Sequence, residues 1–136
     1  MSFSESFYSY IKFGANSSIT TALNLPEIID NNTYFKITKF IGKAGAGNIV
    51  HIHCPELNSQ RSLNPTTGLG DIIGIFPIGT SYTSHIESVD SYTFGLSVPN
   101  YLVNNPTVKL YLTDESYAPF TPTNIEIEFT IYNVEG

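Results

Sequence analysis

Residues 124–134, NIEIEFTIYNV, alternate with a period of two. Ile125, Ile127, Phe129 and Ile131 fall on one side, and Glu126, Glu128, Thr130 and Tyr132 on the other. A helix would return its apolar residues every three or four positions, whereas a period of two belongs to a strand with one face in a core. The same pattern recurs in TVKLYLT (107–113), with Val108, Leu110 and Leu112 inward. It recurs again in SYTFGLSV (91–98), where Tyr92, Phe94, Leu96 and Val98 alternate with small residues. DIIGIFPI (71–78) is nearly continuously apolar and predicts a strand covered on both faces.

SFYSYIKF (6–13), TYFKITKFI (33–41), NIVHIHC (48–54) and a short stretch at 81–85 raise the expected count to eight strands. Turn-forming clusters separate them: GANSS, KAGAGN, LNPTTGLG, NNPT and DESYAPFTPT. Only ALNLPEII and PNYLVNN offer so much as one helical turn. Short strands at this spacing, with some long crossings, predict an all-β protein. The expected fold is an eight-stranded antiparallel jelly-roll β-sandwich with little or no helix, forming a single domain over residues 1–136.

Composition narrows what such a domain can bind. Charged residues make up 13% of the chain, against about 25% in a typical domain. Ser, Thr, Asn and Tyr must therefore cover much of the surface, and burying them against a partner desolvates no full charge. The net charge is −6. Lys36, Lys39 and Lys43 form the nearest approach to a basic cluster and are expected on a solvated strand face, so neither nucleic acid nor an anionic membrane is an expected partner. No run of about 18 apolar residues occurs. A single cysteine excludes an internal disulfide. MSFSESFYSY lacks the basic and apolar regions of a secretory signal, so synthesis inside the cell is expected and the sequons at Asn16 and Asn31 carry no weight.

FIGKAGAGNIVHIHC (40–54) carries the most suggestive letters. A phosphate loop needs lysine after its last glycine and a helix beyond it. Here Lys43 precedes Gly45 and Gly47 and a strand follows. A hairpin is expected instead, with the two glycines supplying positive φ. His51 and His53 share a strand face opposite Val50, Ile52 and Cys54. The apolar face belongs to the core, which leaves the histidines outward or partly exposed.

Gly45-x5-His51-x-His53 with Glu56 resembles the first metal motif of cupins, which implies His51, His53, Glu56 and His85 as ligands of a divalent metal. Glu56 arrives one residue early, Pro55 breaks the strand, and Tyr82 stands where the second motif places histidine. The other reading is a pair of surface or interface histidines. Cys54 cannot readily use His53 as a base, because adjacent strand residues point to opposite faces, and a small buried side chain is expected. Glu126 and Glu128, about 7 Å apart on one face, predict a solvated edge rather than a glycosidase pair. Asp114 and Glu115 read as turn residues. No catalytic, cofactor-binding or metal-binding residue is therefore assigned.

The order NIVHIHCPEL, DIIGIFPIG, VKLYLTDESYAPF, IEIEFTIYNVE over residues 47–135 resembles the small jelly-roll capsid proteins of polinton-like elements, virophages and related large DNA viruses. Asp114 matches the aspartate of that family's turn, while Ser116 and Tyr117 replace its usual glycine. The resemblance implies a minor capsid or penton-type subunit of a virion. It would self-assemble as a homo-oligomer or pack against other capsid subunits, without catalysis. Tyr8, Tyr10, Tyr111 and Tyr132 sit at outward positions and are expected to meet a partner. Two alternatives stand beside this one: a trimeric spike or fibre head or a sugar-binding β-sandwich with a glycan ligand, and a cupin-like metal-binding protein. A fibre head would carry a shaft before its first strand, and here that strand begins within about ten residues.

Overall fold

A computed structural model describes residues 2–57, 70–88 and 96–135. The strands are β1 (Ser2–Gly14), β2 (Ser18–Ala22), β3 (Thr33–Lys43), β4 (Asn48–His53), β5 (Ile72–Ile78), β6 (Thr83–Ile86), β7 (Leu96–Ser97), β8 (Thr107–Thr113) and β9 (Asn124–Glu135). Two short 3-10 turns, Pro55–Leu57 and Asn100–Val103, are the helical elements among the described residues. All pairings are antiparallel. One sheet has the order β1-β9-β3-β6, with β7 also on β3, and the other the order β2-β8-β4-β5. The chain is thus an all-β sandwich.

The pairings are nested. β1 pairs with β9, β2 with β8, β3 with β6 and β7, and β4 with β5. Lateral pairs β3·β9 and β4·β8 then join the ribbon to itself, giving the two sheets.

The inward faces are those the alternation predicts. Ile125, Ile127, Phe129 and Ile131 of β9 and Val108, Leu110 and Leu112 of β8 are buried in one core. Aromatic stacking crosses it: Phe35 lies on Phe129 at 5.1 Å within one sheet, and Phe40 on Phe76 at 4.4 Å between the sheets. Gly74 marks a point of close approach. A Cβ there would lie 2.7 Å from Ile37 Cδ1 and 2.7 Å from the Phe76 ring. That ring is stacked on Phe40 and cannot retreat freely. Gly74→Ala is expected to cost about 1–3 kcal/mol, read from urea unfolding.

Several expectations need correction. The described strands number nine, not eight. β2 lies in a polar stretch with no apolar alternation to announce it, and most of the predicted 91–98 strand falls outside the described residues. Residues 44–47 form no hairpin, because β3 and β4 lie in different sheets and the segment carries the chain between them. Ala44 N–H donates to Gly79 O at 2.8 Å there. The positive-φ glycine among the described residues is Gly14 (φ 60), not Gly45 or Gly47. β5 is an edge strand covered on one face, with Ile75 58% exposed. Its edge position also tolerates Pro77, which has no N–H to give a neighbour. Glu126 and Glu128 lie on β9, an interior strand. Lys36 is buried, with Nζ 3.8 Å from Glu87, rather than on a solvated face.

Candidate functional site

β4 places Val50 and Ile52 in the core and turns His51 and His53 to the outer side of its sheet. Both histidines are nonetheless buried, His53 completely. The reason lies on the next strand and in the turn beyond it. Tyr111 of β8 stands opposite His53 in the ladder and stacks on it at 4.5 Å with the planes 5° apart. Tyr117 stacks on His51 at 4.6 Å and 2°. Aromatic faces cover these imidazoles where the apolar pattern predicted water.

Beneath the rings runs a hydrogen-bonded chain. Asp71 precedes β5 and is wholly buried. Its backbone O accepts from Cys54 N–H at 2.7 Å, which fixes it beside the end of β4. Asp71 Oδ1 lies 2.9 Å from His53 Nδ1, and Oδ2 accepts from the Tyr111 hydroxyl at 2.5 Å. A carboxylate only accepts, so Nδ1 carries the proton. His53 Nε2 lies 2.6 Å from Thr113 Oγ1, which in turn is 3.5 Å from His51 Nδ1. With Nε2 unprotonated, the Thr113 hydroxyl donates to it. His51 Nδ1–H donates to Asp114 O at 2.8 Å.

Thr113, His53 and Asp71 have the order of a hydroxyl–imidazole–carboxylate relay. All three are buried, so the hydroxyl presents no face to a substrate carbonyl. What the arrangement does is tie the end of β4, the start of β5 and the end of β8 together through satisfied polar groups, which fixes the register of the sheet.

The turn after β8 completes the cover. Asp114 Oδ1 accepts from Ser116 N–H at 2.8 Å and Ala118 N–H at 3.1 Å. Asp114 is thus the turn residue its sequence context predicts. Tyr117 adopts φ 63, a left-handed conformation costly for a bulky residue. The same turn delivers its ring to His51.

Glu56 is held elsewhere. Where β4 has ended, its Oε1 accepts from the backbone N–H of Lys109 at 3.2 Å and stands in for the missing strand. It also accepts from Cys54 Sγ at 3.7 Å, and its backbone O accepts from the Tyr101 hydroxyl. His85 lies on β6, in the other sheet. The four residues of the cupin resemblance are therefore not brought together, and no group of three or more His, Cys, Asp or Glu suited to a metal occurs among the described residues.

Cys54 is buried, as expected for a small core residue. Burial, with the Glu56 carboxylate beside it, pushes its thiol up to about 12. At about pH 8, where an ordinary thiol of pKa near 8.5 reacts, iodoacetamide is expected to leave folded protein unmodified and to label it stoichiometrically in urea. Mass spectrometry reads the difference.

Of the tyrosines assigned to a partner, Tyr8 and Tyr10 are exposed. Tyr111 and Tyr132 are not: Tyr111 covers His53, and Tyr132 is buried 6.1 Å from the Tyr34 ring. Sequence reasoning missed Asp71, Tyr111 and Thr113 as partners of His53. The available signal was the outward register of Tyr111 and Thr113 on a strand whose inward residues were plain.

No family model, curated protein or solved structure matches this chain.

Proposed function

We propose that the chain is a structural capsid-type subunit, a jelly roll of the minor capsid or penton kind that self-assembles or packs against other capsid subunits in a virion. The observation that carries this reading is the nested strand pairing, β1·β9, β2·β8, β3·β6 and β4·β5, distributed over the sheet orders β1-β9-β3-β6 and β2-β8-β4-β5. A long antiparallel ribbon rolled into two sheets is the arrangement a jelly roll requires.

Fold alone does not fix function, and the surface adds support. Only 13% of residues are charged, while Ile28, Ile75 and Ile86 are each more than half exposed. Low charge and open apolar side chains favour burial against another subunit. The buried polar chain around His53 is consistent with a rigid building block.

Light scattering on the purified protein is the test. A closed oligomer or larger assembly whose mass holds on dilution is expected. A monomer at every concentration would overturn the self-assembling form of the proposal.

A further inference from the structure

The geometry points to a binding surface for a neutral oligosaccharide on the outer face of the β1-β9-β3-β6 sheet, built from Tyr10, Glu126, Asn124 and Tyr82. It does not depend on capsid assembly.

These four side chains come from three places in the sequence and form one connected band. Tyr10, on β1, donates its hydroxyl to Glu126 Oε1 at 2.7 Å. Asn124, on β9 with Glu126, donates from Nδ2 to Glu126 Oε2 at 3.2 Å and to the Tyr82 hydroxyl at 3.3 Å. Tyr82 precedes β6. The order is ring, carboxylate, amide, ring. Tyr10 is 67% exposed and Tyr82 53%. Lys12 and Ile41 stand opposite Glu126 in the ladders on its two sides, and Lys43 Nζ lies 5.0 Å from the centre of the Tyr82 ring.

A sugar ring has an apolar C–H face and a rim of hydroxyls. The Tyr10 ring and the face of Tyr82 turned away from Lys43 supply π faces for the first. The carboxylate, amide and ammonium groups supply acceptors and donors for the second. Strands about 4.8 Å apart make a band from β1 past β3 roughly 10–14 Å long, the reach of about two to three pyranose units. Holding both Glu126 oxygens in place before the ligand arrives lowers the ordering cost of binding. The Tyr10 hydrogen bond, then that of Asn124, holds the Glu126 carboxyl below the usual carboxylate range, with Lys12 acting in the same direction. It therefore remains an acceptor. Lys12 offsets its charge, which favours a neutral ligand over a cation.

The experiment is an array of neutral oligosaccharides built on glucose, mannose, galactose and N-acetylglucosamine, with each hit titrated against full-length protein by NMR. Binding is expected to move the resonances of Tyr10, Asn124, Glu126 and Tyr82. Tyr10→Ala and Tyr82→Ala are each expected to weaken it by about tenfold or more. Glu126→Gln should weaken it too, and Tyr10→Phe should fall between wild type and Tyr10→Ala. Circular dichroism checks that the exposed substitutions leave the fold intact. No hit on the array would overturn the proposal. So would binding that survives Tyr10→Ala, Tyr82→Ala and Glu126→Gln within about twofold, or tyrosine variants that alter the oligomer while glycan binding persists.

Discussion

His53→Ala is expected to lower the unfolding free energy by about 3–5 kcal/mol, the range for leaving a buried carboxylate without its hydrogen-bond partner. His53 and Asp71 are both fully buried, with Nδ1 and Oδ1 2.9 Å apart. Truncation leaves Asp71 Oδ1 without its imidazole and removes the nearer partner of Thr113 Oγ1, which keeps only His51 Nδ1 at 3.5 Å. It also strips Tyr111 of the ring it stacks on. Oδ2 keeps the Tyr111 hydroxyl, so the carboxylate is not wholly abandoned. Urea denaturation gives the value directly. A loss below about 1 kcal/mol would mean that the network contributes little to holding the sheet. Thr113→Val separates the two ends of the chain: it removes only the hydroxyl and should cost about 1–3 kcal/mol.

Phe129→Ala is expected to cost a similar amount, about 3–5 kcal/mol, for a different reason. Phe129 is completely buried in β9, between β1 and β3, and its ring lies on Phe35 at 5.1 Å. The substitution opens a cavity where two strands on either side prevent collapse. Domains of this size have about 5–15 kcal/mol in total, so the variant is expected to sit near its unfolding midpoint at low denaturant. Its midpoint in urea should fall without a change in slope.

The contrast between these two sites explains what the sequence made legible. Ile125, Ile127, Phe129 and Ile131 declare an inward face because each is apolar and each neighbour is not. That pattern is local, and burial follows from it. His51 and His53 share the opposite register, and nothing local says that the opposite face is also covered. Tyr111 comes from a strand far along the chain and Tyr117 from a turn in a left-handed conformation. Cover supplied by distant residues leaves no periodicity to read. The segment 44–47 shows the same limit for topology. A glycine-rich stretch between two strands serves a hairpin and a crossing between sheets equally well, and only the pairing of each strand with its partners elsewhere separates them. β2 was invisible because its single large apolar residue, Ile19, packs on the core without making an alternation, and the strand is otherwise held by its pairing with β8. Asp71 illustrates the point for the site: a lone aspartate before an apolar run looks like a strand boundary until His53 arrives beside it.

The nested pairing also has a kinetic consequence. Contacts run from the innermost ladder, His53 with Ile72, out to Ser2 with Glu135, so the outer pairs close the longest loops. The entropy of closing a loop grows with the logarithm of its length. Formed alone, the β1·β9 ladder would pay for nearly the whole chain. Once β4·β5 has formed, the loop that β3·β6 must close is already shortened, and each ladder does the same for the next one out. The cheapest order of assembly therefore runs from the middle of the sequence toward its ends. With so many long-range pairs, folding on the millisecond-to-second scale of β-sandwiches follows, and the edge of β4 stands open until β8 arrives to cover it.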